Sequence, residues 1–148
     1  MVEPTWSWTL HRHMPSSVEA GHKQIEQLLA ALTSNNWDGR DFFHVQMAAE
    51  EAMVNAVKHG NAEDVNKSVE VEFKVSKDWV YVRFRDQGKG FKPELLPDPR
   101  EGEYLHSPNG RGVMLIKEMM TRVQYNHSGT EVVMYKQRNQ PLPSDQGE

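Results

Sequence analysis

A carboxylate and a carboxamide lie four residues apart, at Glu51 and Asn55, in a segment with an apolar helical pattern. Because an α-helix advances about 3.6 residues per turn, the two side chains share one helix face. Mg²⁺ prefers oxygen ligands and needs only one or two from the protein, so the Asn55 side-chain oxygen suffices to bind it. Glu51 is placed to accept a proton from, or to orient, a hydroxyl or water that attacks a terminal phosphate. The competing interpretation is a solvated helix face that carries one polar pair.

A second polar element, Asp86-Gln87-Gly88-Lys89-Gly90, follows a strand-like run. The sheet edge can hold the Asp86 carboxylate rigidly, while the glycines let the backbone approach a flat ligand. A carboxylate in this position accepts a hydrogen bond from an exocyclic amine such as that of adenine. The competing interpretation is an ordinary Asp-Gly type of turn.

Gly110 and Gly112 stand where a further helix-like pattern begins. Exposed amides at a helix N-terminus bind phosphate readily, helped by the helix dipole. Arg111 either adds a charge-assisted phosphate contact or is simply solvated, and a plain loop-to-helix glycine turn explains the same residues. Three polar or glycine-rich elements in this order predict one nucleotide site.

The composition is that of one globular domain. The 148 residues are 37% hydrophobic and 26% charged with a net charge of −4, so nothing favours contact with nucleic acid. No apolar run approaches the roughly 20 residues that cross a bilayer, and the first four residues do not resemble a signal peptide. These features predict a cytoplasmic protein without membrane contact.

Cysteine and histidine chemistry are not expected. The absence of cysteine excludes disulfides, thiolate metal sites and a cysteine nucleophile. Of the seven histidines, His11 and His13 are close together but have no third ligand nearby in the sequence, and the others are scattered. The P-loop pattern and the G-x-S-x-G elbow are also absent.

Hydrophobic periodicity predicts the order strand, helix, helix, hairpin, loop, helix, hairpin. The predicted ranges are 5–11 for the first strand, 16–33 and 38–60 for two helices, 69–75 and 80–84 for the first hairpin, 91–109 for the loop, 123–125 and 132–135 for the last hairpin, and 138–148 for a flexible tail. About five mostly antiparallel strands with helices on one face make an α/β (α+β) two-layer sandwich, in a single domain over residues 1–137. Trp6 and Trp8 fall on one side of the first strand, either in the core or at a protein interface.

With these elements in this order, the chain resembles the GHKL ATPases, the family of gyrase, the heat-shock chaperone, histidine kinases and the mismatch-repair ATPase. The resemblance covers roughly residues 40–136 and implies their Bergerat-type ATP-binding fold. The matching motifs are Glu51-x-x-x-Asn55 with His59-Gly60 for the N box, Asp86-x-Gly88-x-Gly90-Phe91 for the first glycine box, Asn109-Gly110-Arg111-Gly112 for the second, and Gly129-Thr130 for the late Gly-Thr pair.

The resemblance implies ATP and Mg²⁺ as cofactors, and it implies a role for each matching residue. Asn55 binds Mg²⁺ and Glu51 is the general base. Asp86 recognises adenine, and residues 92–109 form a lid over the phosphates. The other implied nucleotide-binding residues are His59, Gly88, Gly90, Phe91, Gly110, Arg111, Gly112 and Thr130.

Within that family, the chain is similar to the short anti-sigma factor serine/threonine kinases of bacteria. This implies phosphorylation of a Ser or Thr on an antagonist protein, sequestration of a sigma factor, and a homodimer formed through the sheet face. One departure is that residues 97–109 contain Arg100 as their only Lys or Arg. Two alternatives stay open: a nucleotide-binding partner-switching module without kinase activity, and a Mg²⁺-dependent ATPase.

Overall fold

The structure, a computed structural model, describes residues 5–89 and 108–139, with side chains in the second range from Met114 onward. Its elements are, in chain order, β1 (Trp8–Pro15), α1 (Val18–Ser34), α2 (Gly39–Val54), a π-helix (Asn55–Gly60), β2 (Ser68–Val75), β3 (Trp79–Arg85), α3 (Pro108–Met119), β4 (Arg122–Tyr125) and β5 (Glu131–Gln137). The predicted order of elements is confirmed. Most of the predicted loop, residues 91–107, and the tail from residue 140 lie outside the described residues.

The five strands form one sheet in the order β1-β2-β3-β5-β4, and every neighbouring pair is antiparallel. The register places Val71 of β2 opposite Phe84 of β3, and Phe84 opposite Val132 of β5. All three of these side chains are buried. The alternation that predicted the strands therefore describes one face of the sheet that points into the core.

The helices cover that buried face. Leu28 and Leu32 of α1 and Val45 of α2 are fully buried in the same cluster as the inward residues of the strands. Phe73 and Phe84 meet edge to face near its centre, with ring centroids 5.7 Å apart. The two-layer sandwich is confirmed, and it has the fold class expected from the sequence.

The first strand differs from its predicted range. β1 begins at Trp8 rather than at residue 5 and continues to Pro15, because its polar residues pair with β2 throughout. The chain bends at Ser7, so the side-chain alternation is not continuous through Trp6. Trp8 packs against the core, whereas the Trp6 ring lies 5.9 Å from Nζ of Lys74, which is on the opposite sheet face. The prediction that both tryptophans share one side is wrong.

The second helix also differs from the prediction, because it does not stay α-helical to its end. It begins after Asp38 and is α-helical to Val54, after which the turns widen into the π-helix. The backbone N–H of Asn61 donates to the Ala56 carbonyl, five residues back, at 2.9 Å. Such wide turns are rare and commonly occur at functional sites.

The sheet face opposite the helices, here called the open face, carries partly exposed polar and aromatic side chains. Arg83 on β3 lies at its centre and contacts three carboxylates on two neighbouring strands. Its guanidinium donates to Glu70 Oε2 at 2.8 Å, to Glu72 Oε1 at 3.1 Å and to Glu131 Oε2 at 3.0 Å. Arg83 and His11 together lower the pKa of Glu70 to about 2. None of the helices described in residues 5–89 and 108–139 has the length and apolar character needed to cross a membrane.

Candidate functional site

Glu51 and Asn55 lie at the junction between α2 and the π-helix. The backbone at Asn55 is α-helical, with φ −61° and ψ −41°, so the predicted placement of the two residues one turn apart is found in the structure. Both side chains are partly exposed, while Ala52 and Ala56 beside them are buried. No hydrogen bond or ion pair joins either polar side chain to another residue of the described part. Among the described residues, no group competes with a ligand for their side-chain oxygens.

The end of the π-helix packs directly against the Asp86 turn. A Cβ atom placed on Gly60 would overlap Oδ2 of Asp86. Any side chain at residue 60 would therefore displace the carboxylate from its position. His59, the neighbouring residue of the predicted site, is exposed.

Gly88 completes this close packing. A Cβ atom on Gly88 would overlap the carbonyl oxygen of Gly60, which is backbone and cannot rotate away. The N–H of Gly88 donates to Oδ1 of Asp86 at 2.8 Å, the hydrogen bond of an Asx turn. The turn that competed with a binding role for Asp86 is therefore present. It engages Oδ1, whereas Oδ2 faces Gly60.

The carboxylate of Asp86 is in a partly desolvated environment. Burial raises its pKa above the ordinary value of 3.8, although the Gly88 N–H and the charge of Lys67 pull it down. A desolvated carboxylate is a stronger hydrogen-bond acceptor than one in water, because a low local dielectric strengthens the interaction.

Thr130 lies beside Asp86 because the end of β3 pairs with the start of β5. The N–H of Asp86 donates to the Thr130 carbonyl at 2.9 Å. The Thr130 hydroxyl lies 3.1 Å from Nδ2 of Asn126 and 2.9 Å from the Ser128 hydroxyl, within the turn between β4 and β5. Gly60, Asp86, Gly88 and Thr130 are thus in contact, and the π-helix joins Gly60 to Asn55.

Asn61 is a residue that the sequence analysis missed. Its side chain is fully buried, donates to the Ser68 carbonyl at 2.9 Å and accepts from the Gln87 N–H at 2.7 Å. It therefore fixes the end of the π-helix to the start of β2 and to the Asp86 turn. An asparagine directly after His59-Gly60 gives no signal beyond that of a common turn residue.

The second glycine element is in the first turns of α3. The helix begins at Pro108, so Gly110 is its third residue and its N–H belongs to the unpaired N-terminal set, whereas Arg111 and Gly112 are its fourth and fifth residues. α3 packs against α2 and the π-helix. The Arg111 side chain, Gly90 and Phe91 lie outside what the structure describes. The phosphate side of the predicted site therefore stays a prediction.

The far end of α3 is held by a buried lysine. Lys136 is 1% exposed, and its ammonium donates to the Met119 carbonyl at 2.6 Å and lies 3.8 Å from Oδ1 of Asp41. The last strand thereby fixes the C-terminus of α3 to the first turn of α2. The helix with the second glycine element is thus anchored to the helix with Glu51.

Comparison with known proteins identifies the family. Residues 14–136 match the family described as histidine kinase-like ATPase domain. The chain belongs to this family. The matched range contains every predicted site residue, so the motifs occur within a histidine kinase-like ATPase domain as the resemblance implied.

Relatives of this histidine kinase-like ATPase domain include a bacterial serine-protein kinase and a bacterial anti-sigma factor. The chain is 34% identical to the serine-protein kinase RsbW of Bacillus subtilis over 102 residues, which are 64% of this chain and 64% of the relative. It is 28% identical to the anti-sigma F factor of Clostridium perfringens over 130 residues, 83% of this chain and 84% of that relative. The match thus spans slightly less than two thirds of the Bacillus relative.

A solved structure has the same fold. The crystal structure of the RsbU and RsbW domains of a Mycobacterium tuberculosis protein aligns with a TM-score of 0.57 and 18% identity. The alignment covers 92% of this chain and 33% of that chain. The likeness supports the architecture of the ATPase domain described above.

The described side chains fit an adenine nucleotide with Mg²⁺. Asn55 offers an amide oxygen, the donor type that Mg²⁺ accepts together with phosphate oxygens and waters. Asp86 offers a carboxylate positioned by a turn, with backbone packed closely at Gly60 and Gly88. The family supports ATP binding.

Proposed function

We propose that this chain is an ATP-dependent serine/threonine protein kinase that phosphorylates an antagonist protein and sequesters a sigma factor. The observation that carries the proposal is the pair Glu51 and Asn55, one turn apart and without partners among the described residues. Relatives named serine-protein kinase and anti-sigma F factor support it.

In this proposal each residue has a separate task. Asp86 accepts a hydrogen bond from the exocyclic amine of adenine, beside Thr130, and Asn55 holds Mg²⁺ through its side-chain oxygen. When bound, Mg²⁺ neutralises charge on the phosphates. Glu51 takes the proton of the acceptor hydroxyl. The acceptor oxygen then bonds to the γ-phosphorus, the bond from that phosphorus to the bridging oxygen breaks, and ADP leaves.

The proposal is tested with the full chain, labelled ATP, Mg²⁺ and the regulatory proteins encoded beside it. We expect label to appear on a Ser or Thr of one of these proteins, and a complex with a sigma factor to form. The matched control is the same acceptor with that Ser or Thr replaced by Ala. Absence of label in every candidate acceptor contradicts kinase activity, and steady phosphate release without an acceptor indicates an ATPase.

A binding module without kinase activity is the second candidate. It is favoured by the match to the anti-sigma F factor, which spans more of both chains than the match to the Bacillus kinase. This candidate predicts sigma-factor binding with no labelled acceptor. The homodimer through the open face and the cytoplasmic location stay predictions.

Asp86→Asn is expected to weaken ATP binding by about 10- to 150-fold, because it removes a hydrogen bond to a charged acceptor worth about 1.5–3 kcal/mol. Calorimetric titration with ATP and Mg²⁺ measures this. Asp78→Asn is the matched control, since Asp78 is an exposed carboxylate beyond the other end of the sheet. Equal affinity for wild type and Asp86→Asn contradicts the adenine assignment.

The same variant is not expected to lose stability. Since burial raises the pKa of Asp86, the native state binds its proton more tightly than the unfolded state does, and the ionised carboxylate lowers stability at neutral pH. The substituted asparagine has no such charge, and its oxygen can still accept from the Gly88 N–H. The unfolding midpoint of the variant should therefore be at least that of wild type near pH 7. Its advantage should shrink as the pH falls through the raised pKa of Asp86 and should be lost below 3.8.

A further inference from the structure

Three metal-ligating side chains meet on the open face, where the sequence offered no reason to expect a site. His11 and His13 of β1 and Glu70 of β2 each offer one ligand atom, and these atoms lie within 4.8 Å of one another. We propose that these residues bind a divalent transition-metal ion of the zinc class. The site is separate from the proposed nucleotide site, which lies on the helix side of the sheet.

The strand geometry brings the three ligands together. Side chains two residues apart on a strand point to the same face, which places His11 and His13 side by side with ring centroids 6.2 Å apart. The antiparallel register sets His13 directly opposite Glu70. The third ligand that is missing near the two histidines in sequence is thus supplied by the neighbouring strand, 59 residues after His11.

The donor atoms suit zinc rather than Mg²⁺. Imidazole nitrogen is a ligand for Zn²⁺, Cu²⁺ and Ni²⁺, whereas Mg²⁺ prefers oxygen alone. Two imidazoles and one carboxylate leave the fourth position of a tetrahedral ion open to water. The His11 and Glu70 ligand atoms lie 2.6 Å apart as a hydrogen-bonded pair. They would separate to about 3.3 Å around an ion bound at about 2.0–2.1 Å from each.

Arg83 supports the site as an outer partner. Its Nη2 donates to Glu70 Oε2 at 2.8 Å, which holds the carboxylate in place, as hydrogen bonds to ligating carboxylates do in metal sites. Glu72 and Glu131 also contact this guanidinium. The guanidinium is thus shared among three carboxylates, and its Nη2 also lies 3.5 Å from Nε2 of His11.

The test uses the full chain, produced without a histidine tag, and Co²⁺ as a visible probe. We expect the visible absorption of tetrahedral Co²⁺ at one ion per chain, displacement of Co²⁺ by Zn²⁺, and a calorimetric signal for Zn²⁺ alone. His13→Ala and His11→Ala should each weaken Zn²⁺ binding by at least about 100-fold, because even outer partners of metal ligands contribute about 10–100-fold. Both histidines are exposed, so both variants should fold, which circular dichroism checks.

His22→Ala is the matched control, because His22 is an exposed histidine on α1. It should bind Zn²⁺ and Co²⁺ as wild type does. His13→Ala is the more selective variant, since His11 also hydrogen-bonds Glu70. The proposal is overturned if wild type binds neither ion, if His13→Ala binds Zn²⁺ as well as wild type, or if His22→Ala loses as much affinity as His13→Ala. These readouts do not involve ATP, so failure of the kinase proposal leaves them unchanged.

Discussion

Glu51→Gln is expected to slow phosphoryl transfer to the acceptor protein by about 10²–10⁴-fold, the range that a positioned general base contributes. Glutamine keeps the size and shape of the side chain but does not take up a proton at neutral pH. Affinity for ATP should stay nearly unchanged, because Glu51 acts on the acceptor hydroxyl rather than on the nucleotide. Single-turnover transfer from labelled ATP measures the rate, and titration measures the affinity.

The structure makes this variant a selective probe. Glu51 is partly exposed in the last turn of α2, and no hydrogen bond or ion pair with a described residue depends on its charge. Surface substitutions away from caps and networks usually change stability by less than about 0.5 kcal/mol. A lower transfer rate would therefore reflect chemistry rather than unfolding.

Glu50→Gln is the matched control for the same charge change. Glu50 is the preceding residue and points about 100° around the helix from Glu51. We expect it to retain transfer at the wild-type rate. Undiminished transfer in Glu51→Gln, or an equal loss in Glu50→Gln, would sink the assignment of Glu51 as the base.

Gly88→Ala is expected to weaken ATP binding by up to about 150-fold, which corresponds to about 3 kcal/mol. The added Cβ would overlap the Gly60 carbonyl oxygen and lie 3.1 Å from Oδ1 of Asp86. Because the first of these atoms is backbone, either the π-helix end or the Asp86 turn must move. Overpacking of this kind costs about 1–3 kcal/mol, and here the movement occurs at the proposed adenine contact. Titration with ATP and Mg²⁺ measures the loss.

Two further glycine variants separate a local clash from general instability. Gly39→Ala has nothing within 4 Å of its Cβ but has a φ of +60°, so it should lower stability by roughly 1 kcal/mol while ATP binding persists. Gly60→Ala meets the Asp86 side chain rather than backbone, so its effect on ATP binding should be intermediate. If Gly88→Ala binds ATP like Gly39→Ala does, the close contact has no role in the site.

The fold could be predicted from local patterns of hydrophobic residues. The alternation in β2 and β3 placed Val71 and Phe84 on one face, and both are buried in the sheet core. The helical spacing in α1 likewise identified Leu28 and Leu32. Such patterns depend only on neighbouring residues, which is why element order and fold class were predictable. The end of β1 could not be predicted in the same way. Residues 12–15 belong to the strand because they pair with β2, and their hydrophobicity does not alternate.

The candidate site residues could be predicted where they lie close to one another in the sequence. Glu51 and Asn55 are related by one helical turn, and Asp86 and Gly88 by one turn of loop. Asn61 was missed because its partners, Ser68 and Gln87, lie seven and 26 residues away and become neighbours only after folding.

The open-face histidines illustrate the same limit. His11 and His13 had no third ligand in sequence, and the expectation of no histidine metal site followed from that. Glu70 joins them only through the β1–β2 register. Contacts across strands depend on the register, which the sequence did not specify residue by residue.

Because of the π-helix, the number of residues from Asn55 to Gly60 cannot change without moving the residues that follow. A wide turn accommodates one more residue than an α-helical turn, and here that residue lets Asn55 stay in helical register with Glu51 while Gly60 reaches Asp86. Deleting one residue would rotate everything beyond it by about 100°. The Gly60 backbone would then turn away from Gly88, and Asn61 from Ser68 and Gln87. Insertions or deletions in this segment would therefore separate the end of α2 from the Asp86 turn.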